Sequence, residues 1–152
     1  MSFVQGFRFG LEARLNPFDV HEDLAGRKHL FLYVTGRGEL SYLFPDAPES
    51  DIIGEAERCI PMGYTQIWIL EWVVSVRPEP GKKTKSHQRR AAQELAQGGI
   101  REGHSYVLIG EHSRCFGHTE KLHAAKGAAE ALAAENSVRI AIGLLKANMT
   151  WH

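Results

Sequence analysis

TQIWILEWVVSVR, residues 65–77, decides how the rest of this chain is read. Trp68, Leu70, Trp72, Val74 and Val76 fall on one side of a period-two alternation. Ile67, Ile69, Glu71, Val73, Ser75 and Arg77 fall on the other. One side is wholly apolar and the other mixed. Such a strand is covered fully on one face and partly on the other, and it belongs in the middle of a sheet. Its Trp68/Trp72 face is expected to be buried.

Working upstream, Pro61 and Gly63 close a short helix expected over residues 51–60. Ser50 is its candidate N-cap and Asp51 complements the helix dipole in the first turn. Ile52, Ala56, Cys59 and Ile60 give that helix its apolar spacing, which makes Cys59 a small core residue. Before it, KHLFLYVT (28–35) and ELSYLF (39–44) read as two strands joined at Gly36-Arg37-Gly38, a turn able to take positive φ. Phe3, Gln5, Phe7, Phe9 and Leu11 alternate in a further strand near the start, which Asn16-Pro17 ends.

Downstream, PEPGKKTKS (78–86) is a linker that leads into a surface helix, HQRRAAQELAQ (87–97). Ser86 is its candidate N-cap, Gly98-Gly99 its stop, and His87, Ala91 and Leu95 form only a thin apolar stripe. HSYVLIG (104–110) is then a strand, residues 111–114 a turn and CFG (115–117) a short return strand. Thr119 is placed to cap a long helix carrying Leu122, Ala125, Ala129 and Leu132 at helical spacing. Asn136 ends that helix, and SVRIAIGLLKANMTW (137–151) closes as a strand with Val138, Ile140, Ile142 and Leu144 on one face.

Strand, turn, strand, helix, strand therefore occurs twice, over residues 28–77 and 104–151, with residues 78–103 as a basic linker and helix between. Equivalent points lie 72–74 residues apart: Gly36 answers Gly110 and Trp68 answers Ile140. The period is too long and the copies too few for a solenoid. The expected fold is α+β: a largely antiparallel sheet built from two ββαβ-like units with about three helices, in one compact domain over residues 1–152. The second unit, a short hairpin, a capped Ala/Glu-rich helix and a closing strand over about 45 residues, resembles many small proteins encoded by phages and other mobile elements. The resemblance implies an accessory or structural protein of such an element and assigns no residue a role.

Composition bounds the function. The 152 residues are 43% apolar and 24% charged, which excludes a disordered or collagen-like chain. No apolar run approaches the roughly 18 residues that span a bilayer, and the first residues lack a basic n-region and cleavage site. With only two cysteines, the chain is expected in the cytoplasm and away from membranes. Net charge is zero, yet residues 1–75 carry 6 − 11 = −5 and residues 76–152 carry 12 − 7 = +5. Complementary halves point to a homo-oligomer or to an acidic partner.

Two groups of residues are candidate sites. Lys82, Lys83, Lys85, Arg89 and Arg90 could meet an anionic partner, nucleic acid included, although no aromatic side chain interleaves them for base stacking. His112, Cys115, His118 and His123 are imidazole and thiol groups of the kind zinc prefers, with His104 in the strand before. Their spacing follows no standard zinc pattern. A Cys115 nucleophile would need an orienting third group that the sequence does not place. Gly36 and Gly38 are followed by a strand and so form no phosphate loop, and Glu55 and Glu57 diverge on their helix. No catalytic residue and no cofactor is assigned. The expectation is a small non-enzymatic protein that binds another macromolecule. A nucleic-acid-associated protein using residues 82–90 is the alternative, and a metal-dependent or Cys/His hydrolase using residues 112–123 a second.

Overall fold

Antiparallel pairing accounts for every strand contact described below. The computed structural model describes residues 29–35, 40–43, 49–58, 64–111 and 114–150. The strand expected near the start, the turn at Gly36–Gly38, Cys59, the stops at Pro61 and Gly63, and His112 lie outside those residues. The first unit comprises β1 (His29–Thr35), β2 (Leu40–Leu43), a 3₁₀ turn (Glu49–Asp51) running into α1 (Ile52–Arg58), and β3 (Tyr64–Val76). After α2 (Ser86–Gln93) comes the second unit: β4 (Tyr106–Gly110), β5 (Arg114–Thr119), α3 (Leu122–Asn136) and β6 (Ile140–Thr150). The element order thus reads ββαβ twice.

These strands make one six-stranded sheet, in the order β2-β1-β3-β6-β4-β5. The order is a palindrome of the two units. Each places its first strand between its second and its last, and the two last strands meet at the centre. β3 is therefore internal, as its two-sided apolarity requires, and pairs with β1 through Leu30↔Leu70 and with β6 through Leu70↔Leu145.

Both unit helices lie on one face of the sheet. Ile52 and Ala56 of α1 pack against Phe31, Tyr33, Ile67 and Ile69. On α3, Ala125, Ala128, Ala129 and Ala133 pack against Leu108, Ile140 and Ile142. Alanine gives the best intrinsic helix propensity and a flat surface that lets α3 sit close to the strands. Direct pairing carries this face across the sheet: Ile69 opposes Ala147, Glu71 opposes Leu144, and Leu144 opposes Tyr106. The other face holds Leu30, Leu32, Leu70, Val107, Ile109, Ala141 and Leu145, all buried, with Trp68, Trp72, Ile100 and Cys115 packed against them. The Trp68/Trp72 side is accordingly a core face, although both indoles are only partly buried.

One expectation about β3 is corrected. Its alternation does not run unbroken from Trp68 to Val76. Trp72 opposes Gly143 while Val74 opposes Ile142, so Val73 is an extra residue in a β-bulge. The bulge turns Val74 and Val76 to the helix face, where they join α3's cluster, and leaves Ser75 beside Trp72, whose Nε1 donates to Ser75 Oγ at 3.0 Å. A run of apolar β-branched residues conceals such a slip, because every position stays hydrophobic whichever face it takes.

The helix starts also move. Ser86 is the first helical residue of α2 and Lys85 occupies the cap, its N–H satisfied by Gln88 Oε1 at 2.9 Å. Thr119 belongs to β5, and α3 begins after Lys121. Asn136 does end α3. Its Nδ2 donates to Leu132 O at 2.9 Å, and the next residue, Ser137, takes the left-handed conformation at φ 54°. His104 lies in a turn before β4 and not in the strand. That turn is tied to β6 by Gly103 N–H donating to Leu145 O at 2.7 Å. No helix among the described residues is long and apolar enough to cross a membrane.

Candidate functional site

The +5 of residues 76–152 is concentrated in a short stretch. Residues 77–90 hold Arg77, Lys82, Lys83, Lys85, Arg89 and Arg90 against Glu79 alone, or 6 − 1 = +5, so the remainder is neutral. The structure sets this stretch on the outside of α3. After β3 the chain reverses at residues 79–82, with Gly81 at φ 80° and Lys82 N–H donating to Glu79 O at 3.3 Å. It then enters α2, which packs along α3. Gln88 is the buried fastener. Its Nε2 donates to Glu130 Oε2 at 2.7 Å while its Oε1 takes the Lys85 N–H, so one amide joins the start of α2 to the middle of α3.

The five basic residues separate into engaged and free groups. Lys82 Nζ lies 3.7 Å from both Glu79 and Glu130. Arg89 folds back and donates to Thr84 O at 2.7 Å. Lys83, Lys85 and Arg90 are exposed, and no ion pair links any of them to a carboxylate among the described residues. Lys82 and Lys83 also border a small, mostly polar cleft, where Glu79 and Glu130 stand beside Val76 and Ala134.

Across the helix face, α1 has the opposite character. Asp51 and Glu55 share Arg58, with Glu55 Oε1 2.9 Å from its Nη2. These two carboxylates raise the Arg58 guanidinium pKa above its ordinary value, chiefly through the hydrogen bond that Arg58 donates to Asp51. Ser50, Ile53 and Glu57 are all exposed and follow one another along a single outward stripe. Ile53, at 52% exposure, is the large hydrophobic residue that stands out on the described surface.

The histidine–cysteine group is spread over both faces of the sheet. Cys115 opposes Ile109 and packs into the core face away from the helices, whereas His123 is exposed in the first turn of α3. Among the described residues, no set of three or more His, Cys, Asp or Glu side chains is arranged to hold a metal. His118 is buried, and its Nε2 lies 2.8 Å from Gly98 O. A carbonyl only accepts, so Nε2 is the donor of this bond, while Nδ1 is buried and has no hydrogen-bond partner among the described residues.

That imidazole clamps a strap. Residues 95–98 run beside β5, Ala96 exchanges two backbone hydrogen bonds with His118 at 2.9 and 3.0 Å, and Gln97 Nε2 donates to Phe116 O at 3.0 Å. The strap covers the edge that β5 would otherwise present. It fits only because residue 117 is glycine. A Cβ there would stand 2.7 Å from both Ala96 O and Gln97 Nε2, and φ is 124°. The pair Gly117-His118 was the sequence signal for this strap, although nothing in the local pattern names residue 96 as its partner.

Burial pushes the Cys115 thiol above its ordinary value of 9.0, partly offset by a hydrogen bond from the Gly117 backbone. The folded state therefore favours the neutral thiol. Its stabilising effect is complete below pH 9.0 and is lost as pH rises through the higher folded value. Alkylation by iodoacetamide, followed on the Cys115 peptide by mass spectrometry, should be slower in folded than in urea-unfolded protein, with a midpoint above pH 9.0. An equal or lower midpoint would contradict this reading.

No protein-family model, curated protein or solved structure matches this chain.

Proposed function

We propose that this chain is a non-enzymatic interaction protein that binds an acidic protein surface through the exposed cations of residues 82–90. One observation carries the reading: Arg90 on α2, and Lys83 and Lys85 in the segment leading into it, are exposed with no ion pair among the described residues, and α2 is itself fastened by a buried Gln88–Glu130 hydrogen bond. A rigid element that presents unpaired cations loses little side-chain and backbone freedom on meeting carboxylates, and it steers a charged partner during approach. Glu79, Glu94 and Glu130 lie among these cations, and no aromatic side chain stands between residues 77 and 105. That composition favours discrete carboxylates over a continuous phosphate backbone with stacked bases.

The test is parallel purification of tagged wild type and a Lys85→Glu, Arg90→Glu variant from the native source. The same acidic protein should accompany the wild type and be lost with the variant, whose melting temperature should stay within the range of ordinary surface substitutions. Co-purified material that disappears on nuclease treatment would replace this reading with nucleic-acid association. Retention of the same partner by the charge-reversed variant would refute the proposed surface.

A further inference from the structure

The sheet face without helices is dry, yet the described residues supply almost nothing to cover it. Leu32, Leu70, Val107, Ile109 and Leu145 stand on that face and are fully buried. α1 and α3 pack on the opposite face, and the apolar residues of α2 join the α3 cluster there. Of the side chains packed against the helix-free face, Trp68, Trp72 and Cys115 belong to the sheet itself. Ile100 alone, among the described residues, reaches it from outside the strands. Side chains that stand up from a sheet are shielded only by a second layer. One isoleucine is too small to shield a face running from β1 through β3 and β6 to β4.

That burial is complete within a single chain, so the cover comes from the same molecule. Length selects the segment. Residues 36–39, 44–48, 59–63 and 112–113 are short connections tied to an element at both ends, and residues 151–152 add little. Residues 1–28 lead directly into His29, the first residue of β1, and so start from within this sheet. Fully extended they could reach about 90 Å, against roughly 14 Å for the three strand spacings between β1 and β4.

Their chemistry matches the face. Phe3, Phe7, Phe9 and Leu11 fall on one side of a period-two alternation, with Arg8 and Glu12 on the other. The face they would meet is built of leucine, isoleucine and valine and carries no charged side chain among its buried cluster. Trp68 adds a polar signal. Its indole Nε1 is buried with no acceptor among the described residues, and a backbone carbonyl passing over it would supply one. We propose that residues 1–28 lie across the helix-free face as the second layer of its core. The Phe3/Phe7/Phe9/Leu11 side turns onto Leu32, Leu70, Leu145 and Val107. A partner is then met on the helix side of the sheet, and the helix-free face is occupied by the chain's own segment.

Photocrosslinking in the full-length chain tests the placement without loss of aromatic bulk. Benzoylphenylalanine replaces Phe7 in one sample and Phe9 in another, and cross-linked peptides are identified by mass spectrometry. Intramolecular links to the segments holding Leu32, Leu70, Val107 or Leu145 are expected. Links confined to α1 or α3, links only between molecules, or no link from either position would overturn the proposal. A Phe7→Asp, Phe9→Asp chain gives a second readout by urea denaturation. Its folded-to-unfolded ratio should fall about tenfold or more, because two aromatic side chains lose their burial. A ratio equal to wild type would also overturn it, and if the variant does not fold the cross-links decide alone. The acidic-partner reading is judged separately, on the Lys85→Glu, Arg90→Glu variant, and survives any of these failures.

Discussion

Leu70→Ala is expected to cost about 4 kcal/mol, the largest loss from any single truncation considered for this protein. Leu70 is fully buried on the third strand of six, directly opposite Leu30 on one side and Leu145 on the other. Removing its isobutyl group leaves a cavity between two paired neighbours whose backbones are fixed by the ladder, so the site has little scope to collapse. Gly143 tightens the same place. A Cβ on it would lie 2.8 Å from Leu70 Cβ, which shows how closely β6 approaches. Urea denaturation should give a lowered midpoint with an unchanged m-value. A loss under about 1 kcal/mol would mean that the β1–β3–β6 centre is looser than described.

Gly117→Val should cost about 3 kcal/mol or more by a different route. Valine at φ 124° is strained before any contact is counted, and its Cβ would overlap the Ala96 carbonyl, a backbone atom with nowhere to retreat. The strap must leave β5. It takes with it both Ala96–His118 backbone bonds, the Gln97–Phe116 bond and the His118–Gly98 contact, each worth about 1 kcal/mol net. Hydrogen exchange should show the Ala96 and His118 amides losing protection ahead of β3 and β6. If those amides remain as protected as in wild type, glycine is not what seats the strap.

The sequence showed the fold better than it showed the surface. Period-two runs in β1, β3 and β6 and the alanine spacing of α3 identify elements because local geometry alone produces those patterns. The repeated order of elements made the two units visible, and the palindromic sheet follows from joining them through their last strands. Bulges were invisible: Val73 sits among valines, and Phe116, the extra residue that separates Cys115 from Gly117 on β5, is as apolar as its neighbours. Helix starts were misplaced because Ser86 and Thr119 are good caps by type, while the observed cap at Lys85 depends on a side chain three residues later. The basic stretch could be read as charge, but its division into held and free cations depends on Glu130, which lies some forty residues away. His118 was legible as a histidine and not as a clamp, since its partner Gly98 is brought beside it only by the packing of α2 on α3.

The seam between β3 and β6 has a consequence for how the protein is made. Synthesis completes β3 at Val76 and β6 only at Thr150, 150 − 76 = 74 residues later. At about 5–20 residues per second, an apolar thirteen-residue strand waits on the ribosome for roughly 4–15 s with one of its two ladders unmade. Throughout that interval TQIWILEWVVSV offers an open hydrogen-bonding edge to any neighbouring nascent chain. Truncations that stop before residue 140 never close it and should accumulate as insoluble aggregate, however well their own hairpin and helix form.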